Sequence, residues 1–429
     1  MINNFSKSDI NYLTKTYNEV KKLTFRFNET KEDFSRDIRT INEFQRDYAR
    51  CIYSSSFRRL QGKMQLLSVK VSKFYRNRLT HSIEVATIAR EIGRTLHTID
   101  PNLYSEDDLY VLELASLMHD SGNPPFGHYG EIILNSLLKN NGGFEGNAQV
   151  IRIINKLEKK HPLFPGLDLT LRSQLSLVKY YKRGYKYQKL RPKKYLYNDD
   201  FTQISTILKK LNIRPRTIDV QIMDLSDEIA YAAHDLEDAL REKIITIDEI
   251  LYEFKKWNDQ KSYIELEKIV KETEEFAFKS KKYDSSEEYN FIFRKTLTSR
   301  IVNTLINDIG LINLSSKNKE KTGSGHTKEL GFKKFEKLSE GLKKITFKCI
   351  SNIDEVYIYE KKGEVIIKSL FELYSDSSKN KDLKLLPPEF RNLKSKERSI
   401  VDYISGMMDN FAFDQYQKYF NSTEKIKIF

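Results

Sequence analysis

The stretch from Ser116 to Glu131 constrains this chain most, because one helix must end there and another must begin. An adjacent His119-Asp120 pair closes an apolar segment. The glycines and the Pro-Pro pair that follow end that helix and keep it from resuming. Beyond this bend, His128 and Glu131 are three residues apart, so they share one face of the next helical turn. The stretch therefore combines a candidate metal-ligand pair, a rigid bend, and a histidine backed by a carboxylate.

A further histidine, His81, lies on the apolar stripe of an earlier predicted helix. Because His81 precedes Val85 by one helical turn, we expect its side chain to point inward. The helix that ends at His119-Asp120 starts with a capping box at Ser105 and is apolar nearly all round. We therefore expect that helix to be central and buried.

A later predicted helix, over residues 220–242, has polar side chains on the face opposite its apolar stripe. Asp227, Tyr231 and Asp235 follow one another there at intervals of four residues. Acids opposite a core stripe normally face solvent, but this set includes a tyrosine and lies in an acid-dense run. The face is either a solvated surface or one wall of a site.

His81, His119, Asp120 and one inward-facing aspartate would supply two imidazoles and two carboxylates. Such a mixed nitrogen and oxygen set suits Mn, Fe, Co, Zn or Mg better than a thiolate site. A lone histidine is more often a hydrogen-bonded core residue. The inward histidine, the His-Asp pair, the bend and the following His-Glu pair together favour one divalent metal ion.

Composition limits the class of protein. Hydrophobic residues make up 39% and aromatic residues 12% of the 429, which is typical of a folded globular chain. The net charge of +13 favours polyanionic partners such as nucleotides or nucleic acid, although lysine-rich surfaces are also ordinary. Two cysteines provide no disulfide framework, and we find no leader and no apolar run of membrane-spanning length. We expect a cytoplasmic protein without a membrane anchor.

The chain divides into three predicted parts. Residues 1–311 form the catalytic helical core, which begins with a loosely held polar lead-in over about residues 1–35. Residues 312–332, which contain Gly-Ser-Gly, are predicted as a mobile loop. Residues 333–429 form a C-terminal helical part that packs on the core. Within it, residues 356–367 fit either a small hairpin or a helix junction. The fold class is therefore all-α with at most a small hairpin.

Six strings of residues carry a resemblance to a known family. They are Phe-Gln-Arg-Asp with Phe-Arg-Arg-Leu-Gln-Gly-Lys-Met-Gln (44–65), Asn-Arg-Leu-Thr-His-Ser (77–82), His-Asp-Ser-Gly-Asn-Pro-Pro-Phe-Gly-His-Tyr-Gly-Glu (119–131), Phe-Glu-Gly-Asn-Ala-Gln (144–149), Asp-Glu-Ile-Ala-Tyr-Ala-Ala-His-Asp-Leu-Glu-Asp (227–238) and Asp-Tyr-Ile-Ser-Gly-Met-Met-Asp (402–409). In this order they resemble the deoxyguanosinetriphosphate triphosphohydrolase (dGTPase) family of HD-domain phosphohydrolases, which are all-helical. The resemblance extends from about residue 39 to 415.

The resemblance implies a role for each matching residue. The implied metal ligands are His81, His119, Asp120 and Asp227. The implied catalytic pair is His128 and Glu131, and the implied phosphate contact is Arg78. The implied deoxyribose contacts are Gln65, Tyr231 and Asp235. The chain departs from the family's common pattern at Met64, Asn123, Glu228 and Asn410, none of which is an implied ligand.

The resemblance also implies the reaction: metal-dependent hydrolysis of deoxynucleoside triphosphates (dNTPs), dGTP among them, to deoxynucleoside and tripolyphosphate, with Mn, Mg, Fe or Co as the cofactor. Two alternatives stay open. One is an HD phosphohydrolase acting on a nucleoside monophosphate or a signalling nucleotide, and the other is a nucleic-acid-binding regulatory HD protein. Product analysis separates them, because only the first hypothesis predicts intact tripolyphosphate.

Two expectations concern partners. From the family we expect a homo-oligomer, dimer-based and up to a hexamer, with a dNTP or single-stranded DNA as an effector. The segment 179–197 is rich in lysine and tyrosine and contains no acid. Tyrosines in a basic segment can stack on bases, but such a run is more often a solvated loop, here one that closes over the triphosphate.

Overall fold

The structure is a computed structural model that describes residues 1–28, 42–65, 76–257, 259–279, 285–391 and 395–420. Helices dominate these ranges, and the two named strands in them pair as one antiparallel hairpin. The prediction of an all-α fold with at most a small hairpin is confirmed. No helix in the described ranges is long and apolar enough to cross a membrane.

The helices of the first half lead up to and away from the bend. They are α1 (Lys7–Asn18), α2 (Glu43–Ile52), α3 (Ser55–Arg59), α4 (Arg78–Ile99), α5 (Glu106–Met118), α6 (Gly127–Leu137), α7 (Gly146–Arg152), α8 (Leu171–Leu175) and α9 (Asn198–Leu211). The elements of the second half are α10 (Ile218–Arg241), α11 (Ile247–Lys256), α12 (Gln260–Ala277), α13 (Ser286–Asp308), β1 (Ile309–Asn313), α14 (Ser316–Thr322), β2 (Lys328–Phe332), α15 (Glu336–Ser351), α16 (Asp354–Ser375), α17 (Lys396–Ser405) and α18 (Asp409–Phe420).

The centre of the core is formed by α4, α5 and α10, which pack against one another. As predicted, α5 begins with a capping box between Ser105 and Asp108 and is buried along most of its length. His81 is also buried, as expected from its place on the stripe of α4. These three helices carry the predicted metal ligands, so their packing decides where the ligands meet.

A buried ionic cluster fixes the relative positions of α1, α5, α8 and α10. Its centre is the guanidinium of Arg172, which binds Asp108 and donates to Asp219 at 3.0 Å. The hydroxyl of Tyr17 donates to Asp108 at 2.6 Å, and that of Tyr104 donates to Asp219 at 2.8 Å. Removing one partner of a buried ion pair costs about 3–5 kcal/mol, so the cluster ties α5 firmly to α10.

A second hydrophobic core lies between α6 and the C-terminal helices α16, α17 and α18. Its fully buried members include Leu134 on α6, Ile367 and Leu370 on α16, and Ile400 on α17. The C-terminal helices therefore pack directly against the helix that follows the bend. The division of the chain at residues 311 and 333 stays a prediction.

Three local predictions need correction. Residues 312–332 contain the end of β1, the helix α14 and the strand β2. The Ser, Lys and Gly residues that suggested a loop supply helix caps instead: Ser315 accepts from the amide of Asn318, and Gly323 ends α14 in the left-handed conformation. The hairpin is therefore β1–β2, with Ile309 opposite Phe332.

Residues 356–367 lie within the single helix α16, so both alternatives for this segment, a hairpin and a helix junction, are wrong. The β-branched residues of this segment favour a strand, but packing of α16 against α6 overrides that preference. The described part of the N-terminal lead-in is not loosely held, because α1 buries Leu13 and Tyr17 in the main core. Residues 29–35 of the lead-in lie outside the described residues.

Candidate active site

The end of α5 presents His119 and Asp120 to the space in front of the bend. The Nδ1–H of His119 donates to the carbonyl of Ser116 at 2.6 Å, which leaves Nε2 as the free nitrogen. This Nε2 atom lies 3.5 Å from Oδ1 of Asp120 and 3.4 Å from Oδ1 of Asp227. One ring nitrogen of His119 thus faces two carboxylates from different parts of the chain.

His81 completes the cluster from α4. Its Nε2 atom lies 3.1 Å from Oδ1 of Asp227 on α10. Donor atoms of His81, His119 and Asp120 all lie within 4.8 Å of one another. The structure therefore brings the four residues predicted as metal ligands together, although His81 is on α4, His119 and Asp120 follow α5, and Asp227 is on α10.

Their electrostatics fit a cation. Nε2 of His119 is buried and has no hydrogen-bond partner among the described residues. Burial disfavours a charged imidazole, yet Asp120 and Asp227 outweigh it and raise the pKa of His119 to about 9. The set contains two imidazoles, two carboxylates and no sulfur, which suits a divalent ion that accepts nitrogen and oxygen ligands.

Cationic side chains surround the cluster. Nη1 of Arg78 lies 2.5 Å from Oδ2 of Asp120. Burial opposes the charge of Asp120, but Arg78 and the two histidines outweigh it and lower its pKa to about 2. Nζ of Lys179 lies 2.8 Å from Oδ2 of Asp227 and 2.8 Å from Asp224. The cations Arg78 and Lys179 therefore lie directly beside the predicted ligands and also line the cavity.

The predicted catalytic pair lies across the same cavity. Nδ1 of His128 is 3.4 Å from Oε2 of Glu131, and the imidazole side chain is 67% exposed. Glu131 also accepts from the amide of Gly146 at 3.3 Å and contacts Nζ of Lys194 at 3.3 Å. Burial opposes the charge of Glu131, but the bond to His128 and the Lys194 charge lower its pKa to about 2. Glu131 is thus an anion held by several partners beside an exposed imidazole.

The three residues predicted to bind the sugar are not equivalent. Gln65 and Tyr231 line the cavity, and the ring of Tyr231 meets that of His81 edge-on at 6.1 Å between centroids. Asp235 is only 2% exposed and is absent from the cavity lining. Its Oδ2 atom has no hydrogen-bond partner among the described residues. The structure thus separates Asp235 from the other two.

The cavity has a volume of about 280 Å³. One of its walls is formed by residues that the sequence did not predict to belong to the site. The missed residues come from α15 and α16: Phe347, Ile350, Ser351, Val356 and Glu360. No motif or spacing links this region to the bend, so nothing in the sequence pointed to it. The segment 179–197 contributes Lys179, Tyr180 and Lys194 to the opposite wall, whereas its middle, with Tyr187, is exposed.

Two protein families match parts of the chain. The HD domain matches residues 78–232, and the phosphohydrolase-associated domain matches residues 333–418. With the helical fold and the His-Asp cluster, these matches define an HD-domain phosphohydrolase.

Full-length relatives narrow the family. The chain is 48% identical to the deoxyguanosinetriphosphate triphosphohydrolase-like protein 2 of Vibrio cholerae serotype O1, over 90% of each chain. It is 32% and 33% identical to the deoxyguanosinetriphosphate triphosphohydrolase-like proteins of Shewanella sediminis and Shewanella woodyi, over 88% of this chain and 91% of each relative. The chain belongs to the deoxyguanosinetriphosphate triphosphohydrolase-like family, as its motifs predicted.

Proposed function

We propose that this protein hydrolyses dNTPs, dGTP among them, to the deoxynucleoside and tripolyphosphate. The observation that carries the proposal is one cavity lined by three members of the His-Asp cluster, by three cationic side chains and by the His128–Glu131 pair; the cluster members are His119, Asp120 and Asp227. The names of the relatives agree with a deoxynucleotide substrate. The cavity of about 280 Å³ is close to the lower end of typical small-molecule sites.

We propose that His81, His119, Asp120 and Asp227 hold one divalent ion, with Mn, Mg, Fe and Co as candidates. The ion would supply Lewis-acid polarisation of the phosphoryl group and a water of lowered pKa. Arg78, Lys179 and Lys194 neutralise the triphosphate, because phosphoryl transfer depends chiefly on positioning and charge stabilisation.

Attack of water on the α-phosphorus breaks the bond to the 5′-oxygen of the deoxynucleoside. The departing 5′-oxygen needs a proton. His128 in its imidazolium form donates that proton, since it lines the cavity and is exposed to the substrate. Glu131 orients the ring and stabilises its charge. Tyr231 packs against the sugar where a 2′-hydroxyl would need room, and Gln65 binds the 3′-hydroxyl. Asp235 lies outside the cavity lining, so we assign the 3′-hydroxyl contact to Gln65.

We further propose a cytoplasmic homo-oligomer, dimer-based and up to a hexamer, whose activity responds to a dNTP or to single-stranded DNA. Both cysteines are free, which fits a reducing compartment. The exposed middle of segment 179–197 and the net charge of +13 fit an anionic effector.

The test is a panel of the four dNTPs and four ribonucleoside triphosphates (NTPs), each with Mn²⁺ or Mg²⁺, singly and mixed. Chromatography of the products should show deoxynucleoside and intact tripolyphosphate in equal amounts. Release of pyrophosphate or orthophosphate as the first product would contradict cleavage of the bond between the α-phosphorus and the 5′-oxygen. Equal rates on NTPs and dNTPs would favour a hydrolase of a signalling nucleotide.

A further inference from the structure

The bend between α5 and α6 is fastened at both ends by side chains from distant parts of the chain. At its start, the ammonium of Lys63 donates to the carbonyl of Asn123 and, at 2.8 Å, to that of Ser405. At its end, the amide of Phe126 donates to Oδ1 of Asp409 at 3.0 Å. Phe126 has a φ of +61°. A bulky residue adopts this left-handed conformation only where its surroundings hold it.

Asp409 has two further partners. Its Oδ2 atom accepts from the amide of Met64 at 3.0 Å and from the hydroxyl of Tyr359 at 2.9 Å. One buried carboxylate thus joins α18 to the segment before Gln65, to the start of α6 and to α16. A buried carboxylate is costly unless its oxygens accept hydrogen bonds, so these three donors must keep their places.

The helix α16 is seated on the bend itself. A Cβ atom at Gly363 would lie 2.5 Å from Cγ of Phe126, so only glycine allows this approach. The rings of Phe126 and Tyr359 are 5.5 Å apart between centroids. Because α16 also carries Val356 and Glu360 of the cavity wall, the bend and this wall share one support.

We propose that Asp409 is a positioning residue that acts on His128 through the bend. His128 lies two residues after Phe126, in the first turn of α6. The hydrogen bond from the Phe126 amide to Asp409 therefore fixes where that turn begins. The hydrogen bond from Tyr359 to Asp409 makes the position of the Asp409 carboxylate depend on α16. The inference rests on the proposed function, since it takes His128 as the proton donor.

The first test is Asp409→Asn, which keeps the size of the side chain but replaces one acceptor oxygen with a donor. A misplacement of about 1 Å can cost about 100-fold in rate, so we expect kcat to fall by about 10- to 100-fold. Metal affinity should change by less than about threefold, because the metal cluster does not contact Asp409. Tyr359→Phe removes a single hydroxyl and should lower kcat by a smaller factor in the same way.

The matched control is Asp308→Asn. Asp308 is 6% exposed, as is Asp409, and it also accepts from two backbone amides, those of Lys334 and Phe335 at 2.8 Å. It lies away from the bend, so its loss should lower thermal stability comparably and leave kcat unchanged. An equal fall of kcat in both variants would overturn the proposal, as would parallel losses of kcat, metal affinity and nucleotide affinity in Asp409→Asn.

A second readout does not depend on activity. In protein with ¹⁵N-labelled histidine, the His128 signal is identified by its loss in His128→Gln. Asp409→Asn and Tyr359→Phe should shift that signal, and Asp308→Asn should leave it in place. An unshifted His128 signal in a folded Tyr359→Phe protein, with kcat unchanged, would overturn the proposal even if Asp409→Asn fails to fold. If the wild type hydrolyses no triphosphate, the proposed function fails, and the shift of the His128 signal still decides the positioning role.

Discussion

Metal binding to the His119 cluster should release a proton, and its affinity should therefore rise with pH. In the metal-free protein the pKa of His119 is raised from 6.5 to about 9, since Asp120 and Asp227 outweigh the effect of burial. Each tenfold change in proton affinity is worth about 1.4 kcal/mol, so the raised pKa corresponds to about 3 kcal/mol. A divalent ion must displace this proton before Nε2 can bind it.

The raised pKa of His119 makes the stability of the metal-free protein and its metal affinity change in opposite directions with pH. Protonation of His119 stabilises the metal-free fold fully below pH 6.5, and this contribution is lost as the pH rises through about 9. Over the same window, the apparent metal dissociation constant should fall by about tenfold per pH unit, which is about 100-fold between about pH 6.5 and about pH 8.5. The metal-free protein should become less stable as metal affinity grows.

Titration calorimetry with Mn²⁺ in buffers of different ionisation enthalpy measures the protons released. We expect about one proton per ion near neutral pH. The control is His97→Gln, which changes an exposed histidine near the end of α4 and should leave the proton count unchanged. A metal affinity independent of pH, or no proton release in the wild type, would refute this account of His119.

Further predictions concern single side chains. Asp227→Ala should lose metal and activity together, and retention of both would remove Asp227 from the ligand set. His128→Ala should lower kcat by about 100-fold or more with metal content unchanged, and loss of the metal would make His128 a ligand instead. Glu131 keeps a pKa of about 2, because its bond to His128 and the Lys194 charge outweigh burial. Its ionised form stabilises the fold above about pH 4.5, and that stabilisation is lost as the pH falls to about 2. In Glu131→Gln the free energy of unfolding should therefore fall less between these two pH values than in the wild type. Tyr231→Ala should reduce the preference for dNTP over NTP, measured as kcat/KM, by about 1–3 kcal/mol, and an unchanged ratio would contradict the sugar contact.

The sequence by itself determined the local features of the site. The Gly and Pro-Pro positions after Asp120 dictate that α5 ends there, and the capping box at Ser105 dictates where it begins. The apolar stripe around His81 predicted that its ring is buried. Such features depend on neighbours within one or two turns, and helical periodicity fixes those neighbours without reference to the rest of the fold.

Only the tertiary structure decided which faces meet. Asp227 and Asp235 share one helical face in the sequence pattern, yet Asp227 touches both histidines and Asp235 is buried outside the cavity. The wall formed by α15 and α16, and the bonds of Asp409 to Met64 and Phe126, join segments hundreds of residues apart. The physical reason is that packing of side chains between helices, and not the period within one helix, selects the contacts between distant segments.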